Sequence, residues 1–130
     1  TNNPYNVKVI SSTHIFNNFT LPAYSNYSEL RIGLDNIMFV YDNPNDNYNY
    51  YIDLYDFDGN LVNSVATTYN SNNSNVQDVR ANKNRYGVIF NDYQNGFYDC
   101  YLITDNTYKN AKLTNWNYWN VNNDYINWND

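Results

Sequence analysis

Short runs of alternating apolar and polar residues recur along this chain, and turn-forming residues separate them. The run "ELRIGLD", residues 29–35, is the clearest example. Its apolar positions Leu30, Ile32 and Leu34 share one face of an extended chain, while Arg31, Gly33 and Asp35 take the other. This pattern predicts a β-strand with its apolar face buried and its polar face in solvent.

Asp-Gly and Asn-Gly dipeptides supply the positive φ angles that tight hairpin turns require. Asp58-Gly59 therefore predicts that residues 49–57 fold back against residues 60–69, and Asn95-Gly96 predicts a second hairpin. In that second hairpin, Tyr86, Val88 and Phe90 share one face, with Tyr98, Cys100 and Leu102 facing a common side across the turn.

The composition favours a sheet protein, because sixteen Tyr, six Phe and three Trp carry much of the apolar content. Further strands are expected at residues 5–10, 14–19 and 75–81 and in the tail, for about eight to ten in all. We expect one antiparallel β-sandwich domain, Ig-like or jelly-roll, over residues 1–130. No internal repeat is evident.

Charge and hydropathy argue against nucleic acid and membrane as partners. The formal net charge is −6, and the seven Lys and Arg residues stand singly, so nucleic acid is not expected as a partner. No run of eighteen apolar residues occurs, so no membrane insertion is expected.

The single cysteine, Cys100, lies in the apolar run "FYDCYLI" and is predicted to be a small buried residue.

Catalytic residues are hard to assemble from this sequence. His14 is the only histidine, and it is expected to be an ordinary strand residue, so neither a Ser-His-Asp triad nor a zinc cluster is predicted. We expect no enzyme and no cofactor. Calcium is a weak alternative, since aspartates and asparagine carbonyls provide hard oxygen ligands, although their spacing differs from that of an EF-hand. The candidate ligands are Asp42, Asp46, Asp56 and Asp58.

The tail "NWNYWNVNNDYINWND", residues 115–130, can form a hairpin with arms at residues 115–121 and 124–129. Alternation would place Trp119, Val121, Ile126 and Trp128 on a core face. The opposite face would carry Trp116, Tyr118, Tyr125 and Asn127, rings bordered by carboxamides as a glycan site requires. The alternative is that a second sheet covers both faces and every ring is structural.

The chain ends suggest assembly. Residues 115–121 contain neither charge nor proline, so they can pair with the open strand of a neighbouring copy, and the N-terminal "YNVKVISSTHIF" can do the same. Self-association through terminal strands is therefore the expected partner interaction, with a cell-surface glycan as a further candidate.

A family resemblance covers fourteen residues, "FTLPAYSNYSELRI", residues 19–32. This passage of strand, Pro-Ala, polar bend and strand resembles β-sandwich domains of phage virion and cell-surface adhesion proteins. The resemblance implies an extracellular, cell-surface or virion-surface location. Three sequons, at Asn18, Asn26 and Asn72, are compatible with N-glycosylation there.

Two functions remain open at this point. The first is a non-enzymatic structural or adhesion module that forms a fibre, filament or surface layer through β-strand edges and contacts glycans. The second is a free-standing carbohydrate-binding module with an aromatic platform.

Overall fold

Ten antiparallel strands make up most of the described chain. The computed structural model describes residues 5–14, 16, 18–21, 26–104 and 108–113. The strands are β1 (Tyr5–Val7), β2 (Phe19–Leu21), β3 (Asn26–Ile32), β4 (Asn36–Asn43), β5 (Asn49–Asp56), β6 (Leu61–Asn70), β7 (Ser74–Asn82), β8 (Arg85–Asp92), β9 (Phe97–Ile103) and β10 (Tyr108–Leu113).

Two four-stranded sheets form the body of the molecule, in the orders β3-β4-β5-β6 and β10-β9-β8-β7. β1 and β2 form a small third sheet. The predicted all-β antiparallel sandwich is therefore confirmed. Each large sheet is a meander in which every strand pairs with its neighbour in sequence, whereas Ig-like and jelly-roll domains use Greek-key connections.

Both predicted hairpin turns are confirmed, whereas the connection between β3 and β4, residues 33–35, interrupts the strand predicted over residues 29–35. Gly59 and Gly96 both have positive φ, at 92° and 76°, and each lies in the turn between two paired strands. Pro44–Asp46 forms a short 3-10 helix in the predicted loop between β4 and β5. Within the described ranges no helix is long and apolar enough to cross a membrane.

The main core lies between the two large sheets. Met38, Val40, Ile52 and Leu54 of the first sheet are completely buried, as are Val88 and Phe90 of the second. We call the side of the β3–β6 sheet that carries Met38 and Val40 its back face. The opposite side is its front face, whose buried residues Ile37 and Phe39 pack against β1, β2 and the residues near them. Both sides of β4 are covered by other layers, which is why apolar residues are buried on both of them.

A structural repeat of about 48 residues relates the two sheets, although none was evident in the sequence. The first residues of β7, β8, β9 and β10 follow those of β3, β4, β5 and β6 by 48, 49, 48 and 47 positions. A one-residue bulge recurs at the matching place, between Tyr27 and Glu29 in β3 and between Val76 and Asp78 in β7.

The predictions for His14 and for the faces of the second hairpin are wrong. His14 is exposed in a turn closed by Ser11, whose Oγ accepts from the His14 main-chain N–H at 2.9 Å, and the strand begins only at Phe19. In the second hairpin, Val88 lies opposite Tyr101, while Cys100 lies opposite Ile89. Tyr98, Cys100 and Leu102 therefore occupy the other face of the sheet from Tyr86, Val88 and Phe90.

Candidate interaction surface

The edge strand β3 exposes a row of apolar side chains on the front face. Leu30 and Ile32 are 44% and 60% exposed, and Leu34, just beyond the strand, is 64% exposed. Leu30 lies opposite the buried Phe39, which fixes this row on the front face. The prediction that Leu30, Ile32 and Leu34 face the core is therefore wrong: the strand forms, but its apolar face points outward.

The bulge at Ser28 explains which side chains face inward. It shifts the alternation by one residue, so Glu29 and Arg31 fall on the back face, opposite Val40 and Met38. There Arg31 Nη1 lies 3.2 Å from Glu29 Oε2, and the two side chains are 41% and 35% exposed. Such an exposed pair contributes little to stability, so the register of β3 depends on other contacts.

A groove of about 330 Å³ separates β1 from β3 on this front face. Its wall is formed by aromatic, aliphatic and polar residues together. They are Tyr5, Asn6, Val7, Leu21, Tyr27, Ser28, Glu29, Leu30 and Phe39. A groove of this size and mixed lining can accept an apolar segment of chain or a small ligand.

A ladder of tyrosine rings runs from the groove across the sheet. The ring centroids of Tyr5 and Tyr27 are 5.1 Å apart, those of Tyr27 and Tyr41 are 4.9 Å apart, and those of Tyr41 and Tyr51 are 5.5 Å apart. Tyr5 is 46% exposed, so the ladder reaches solvent at β1. The three contacts are edge-to-face, tilted and stacked in turn, and such aromatic pairs stabilise the packing of the front face.

Asp53 is buried beneath these rings. Its Oδ1 accepts a hydrogen bond from Ser64 Oγ at 2.6 Å, and Tyr41 is a second hydrogen-bond partner. Burial raises the pKa of Asp53 above the usual value, and it also raises the pKa of Tyr41. Because Asp53 is only 4% exposed, its carboxylate organises the sheet and does not meet a solvent-borne ligand.

Asp99 and Cys100, neighbours on β9, are both buried in the second sheet. The hydroxyl of Tyr69 donates to the carboxylate of Asp99, which joins β6 to β9 across the main core. Cys100 is 1% exposed, as predicted, and burial is the main reason that the pKa of its thiol rises to about 12. At that pKa the thiol is protonated at neutral pH and is a poor nucleophile.

The four predicted calcium ligands do not form a cage. Asp56 Oδ1 accepts from the main-chain N–H groups of Asp58 and Asn60, so it closes the hairpin turn, and Asp46 accepts from the Tyr51 hydroxyl at 2.5 Å. In the part of the chain that the structure describes, no three Asp, Glu, His or Cys side chains are placed to hold a metal ion.

The predicted glycan platform, Trp116, Tyr118, Tyr125 and Asn127, lies outside the described residues. The three sequon asparagines, Asn18, Asn26 and Asn72, are all exposed, and their glycosylation stays a prediction. His14 packs edge-on against Phe16, with ring centroids 4.3 Å apart, in its exposed turn.

Sequence reasoning missed the groove, because Tyr5 and Tyr27 approach each other only when β1 and β2 cover the front face. One signal was available. The run "NIMFVY", residues 36–41, is apolar on both sides, and such a strand needs a covering layer on each of its faces.

Together these features define a two-layer, all-β antiparallel domain whose first sheet presents a groove of mixed lining and an exposed apolar row at an open edge. Comparisons of the chain with protein family models, with curated proteins and with solved structures found no match.

Proposed function

We propose that this domain is a non-catalytic structural or adhesion module that assembles with other copies through its exposed strand edge. The assembly is a fibre, filament or surface layer, outside the cell or on a virion. The observation that carries the proposal is the apolar row of Leu30 and Ile32 beside the open edge of β3.

An edge strand of this kind favours association for two reasons. β3 pairs only with β4 among the described strands, so its other edge presents main-chain groups that another strand can pair with. Covering what remains exposed of two large aliphatic side chains adds stabilisation on the order of 1–3 kcal/mol. β3 has two features that limit edge pairing, the bulge at Ser28 and the charged Glu29 and Arg31 on the back face, but residues 26–32 contain no proline and the front-face row carries no charge.

The surface location rests on the resemblance of residues 19–32 to virion and adhesion β-sandwiches and on three exposed sequons. A buried cysteine with a raised pKa also suits an oxidising environment, because it resists disulfide exchange. An extracellular or virion-surface module of this kind can meet glycans through its aromatic surfaces.

Sedimentation velocity over a range of concentrations tests the assembly. We expect the wild-type chain to form species larger than a monomer, and Ile32→Lys to weaken that association. Val62→Lys is the matched control, because Val62 is an exposed aliphatic residue on β6, away from the β3 edge. A chain that stays monomeric at every concentration would contradict the proposal.

A second candidate function is carbohydrate binding, which the groove beside Tyr5 favours. The exposed ring of Tyr5 offers a stacking face to a sugar, and Asn6 in the same wall offers hydrogen-bonding groups. On a glycan array, Tyr5→Ala is expected to weaken binding by about 1–3 kcal/mol, with Tyr48→Ala as the exposed-tyrosine control.

The platform predicted in the tail is tested on the same array with Trp116→Ala. Loss of binding in Trp116→Ala alone would assign the sugar to the tail, and loss in Tyr5→Ala alone would assign it to the groove. An array without any bound glycan would exclude carbohydrate binding.

A further inference from the structure

The free edge of β3 presents the main-chain groups of Leu30 and Ile32. Just beyond the strand, the N–H of Gly33 donates to the carbonyl of Asn36 at 2.9 Å, so the main-chain groups of Gly33 point towards β4. Along an antiparallel strand these directions alternate from one residue to the next. The groups of Arg31 therefore also point towards β4. Those of Leu30 and Ile32 point away from it, where no strand among the described residues pairs with them.

The bulge at Ser28 limits the regular part of this edge. The Ser28 hydroxyl donates to the carbonyl of Val40 at 3.2 Å, inside the β3–β4 pair. Regular alternation in β3 is therefore kept over residues 29–32 on this side of the bulge. An edge this short gains much of its pairing energy from the side chains that lie opposite each other.

Charge decides the register in which a second copy can pair with this edge. In a symmetric antiparallel pair, a twofold axis passes through one residue of β3, which then lies opposite itself. An axis at Glu29 or at Arg31 would place two like charges directly opposite each other, which destabilises a sheet. An axis at Leu30 places Glu29 opposite the partner's Arg31, and Arg31 opposite the partner's Glu29. Of these three registers, only the last pairs opposite charges.

The two charged side chains are accessible for this contact. Glu29 and Arg31 both stay partly exposed, although β7 of the second sheet runs close to β3. Within one copy they form an ion pair of 3.2 Å. Across the axis the signs would alternate, so that each carboxylate lies beside a guanidinium group of its own copy and one of the partner. The outward main-chain groups of Leu30 fall on the axis, where they can bond to those of the partner's Leu30.

The same register brings an apolar side chain to the groove. Ile32, on the front face, falls opposite the partner's Ser28, and the wall of the groove contains both Ser28 and Leu30. Ile32 of each copy therefore reaches the groove of the other. The two Leu30 side chains lie opposite each other on the same face, so the exposed apolar rows of the two copies leave water together.

The free edge of β7 is the competing partner for β3. Its Asp78 and Arg80 repeat the charge order of the β3 edge. Val79, between them, is only 2% exposed because it packs in the main core, whereas Leu30 is 44% exposed. Pairing at β3 therefore removes more apolar surface from water than pairing at β7, which favours β3 with β3.

We infer that two copies of this chain pair through β3 about a twofold axis at Leu30, so that their first sheets join into one continuous antiparallel sheet. This rests on the self-assembly proposed above and names its partner, its surface and its register. A twofold contact closes on itself, so the dimer is the unit from which a larger assembly is built.

Charge reversal tests the register. Glu29→Arg and Arg31→Glu each place only like charges beside the axis, and each is expected to weaken association at least about tenfold by sedimentation velocity. Mixed in equal amounts, the two variants are expected to associate again, because one supplies the cations and the other the anions. Glu29→Arg/Arg31→Glu is expected to dimerise like the wild type. Arg80→Glu on β7 is the matched control and is expected to leave association unchanged.

A cysteine on the axis reports the register directly. The Cα atoms of a hydrogen-bonded antiparallel pair are about 5.5 Å apart, which is within disulfide range. With glutathione disulfide as oxidant, Leu30→Cys is expected to give a covalent dimer on a non-reducing gel, with two glutathione thiols released per dimer. Ile32→Cys is the matched control, because the two Ile32 positions would lie about four residues apart along the pair, roughly 13 Å or more. It is expected to stay monomeric on the gel.

The outcomes separate this inference from the proposal that it extends. A wild-type chain that is monomeric at every concentration would overturn both. Association that persists in both single charge variants, without a covalent dimer from Leu30→Cys, would overturn the β3 pair and leave self-assembly standing. Association weakened by Arg80→Glu would assign the partner strand to β7 and would also overturn the twofold pair. Far-ultraviolet dichroism checks that each variant folds.

Discussion

The hydroxyl of Tyr86 donates a hydrogen bond of 2.9 Å to the main-chain carbonyl of Asn36, which ties β8 to the start of β4 across the main core. Tyr86 is completely buried, and burial raises its pKa to about 12. Together with the Tyr69–Asp99 bond, this hydrogen bond links two sheets whose shared core is mainly apolar.

Removing that hydroxyl should lower stability moderately. The Asn36 carbonyl keeps a second donor, the Gly33 N–H at 2.9 Å, so Tyr86→Phe is expected to cost about 0.5–1.5 kcal/mol of unfolding free energy. Urea denaturation measures the difference. Tyr93→Phe is the control, because its hydroxyl also bonds a carbonyl, that of Asn72, but at an exposed site. Equal losses in the two variants would contradict the role of burial.

Gly33 allows the two sheets to approach at this end of the molecule. A methyl group there would collide with the carbonyl oxygen of Lys83 and the hydroxyl of Tyr86. Gly33→Ala is therefore expected to cost about 1–3 kcal/mol or more, measured by thermal or urea unfolding. Gly96→Ala meets no atom within 4 Å and carries only the backbone cost of its positive φ, about 1 kcal/mol. A smaller loss at Gly33 than at Gly96 would show that the sheets can separate there.

The buried Asp53 should make stability depend on pH. Burial raises its pKa in the folded state, and the hydrogen bonds from Ser64 and Tyr41 offset only part of this. The folded state then binds the proton more tightly than the unfolded chain, so the contribution of Asp53 falls as the pH rises through its folded pKa. Asp53→Asn removes that dependence.

The measurement is urea denaturation of both proteins between about pH 4 and pH 7. The stability of Asp53→Asn relative to wild type is expected to be greater at the upper end of this range. Ser64→Ala, which removes a bond that lowers the pKa, should steepen the pH dependence. A relative stability that rises toward acid pH would mean that the pKa of Asp53 is lowered instead.

Cys100 should resist thiol reagents until the protein unfolds. Burial, with a smaller effect from the neighbouring Asp99, raises the thiol pKa from 9.0 to about 12, which lowers the thiolate fraction on the order of a thousandfold. Labelling with a chromogenic disulfide is expected to be slow in the native protein and rapid in denaturant. Rapid labelling under native conditions would show that this part of β9 opens easily.

Much of the local structure could be predicted from the chain. The strand runs and the Asp58-Gly59 and Asn95-Gly96 turns were predicted because periodicity and positive φ are local properties. The residues of the groove were not, since Tyr5 and Tyr27 belong to segments that meet only through the placement of β1 and β2. The repeat could not be recognised in the sequence because the two sheets share the spacing of their strands but not their residues. Leu30 corresponds to Val79, for example, and Phe39 to Val88.

The sequence by itself determined that the chain folds into antiparallel strands, and it placed the two hairpin turns at Asp58-Gly59 and Asn95-Gly96. Only the tertiary structure decided which face of each strand meets another layer. The row of Leu30 and Ile32 is the plainest case, because alternation looks the same whether its apolar side points inward or outward. That choice depends on the bulge at Ser28 and on the stacking of whole sheets, and both depend on contacts between residues far apart in the chain.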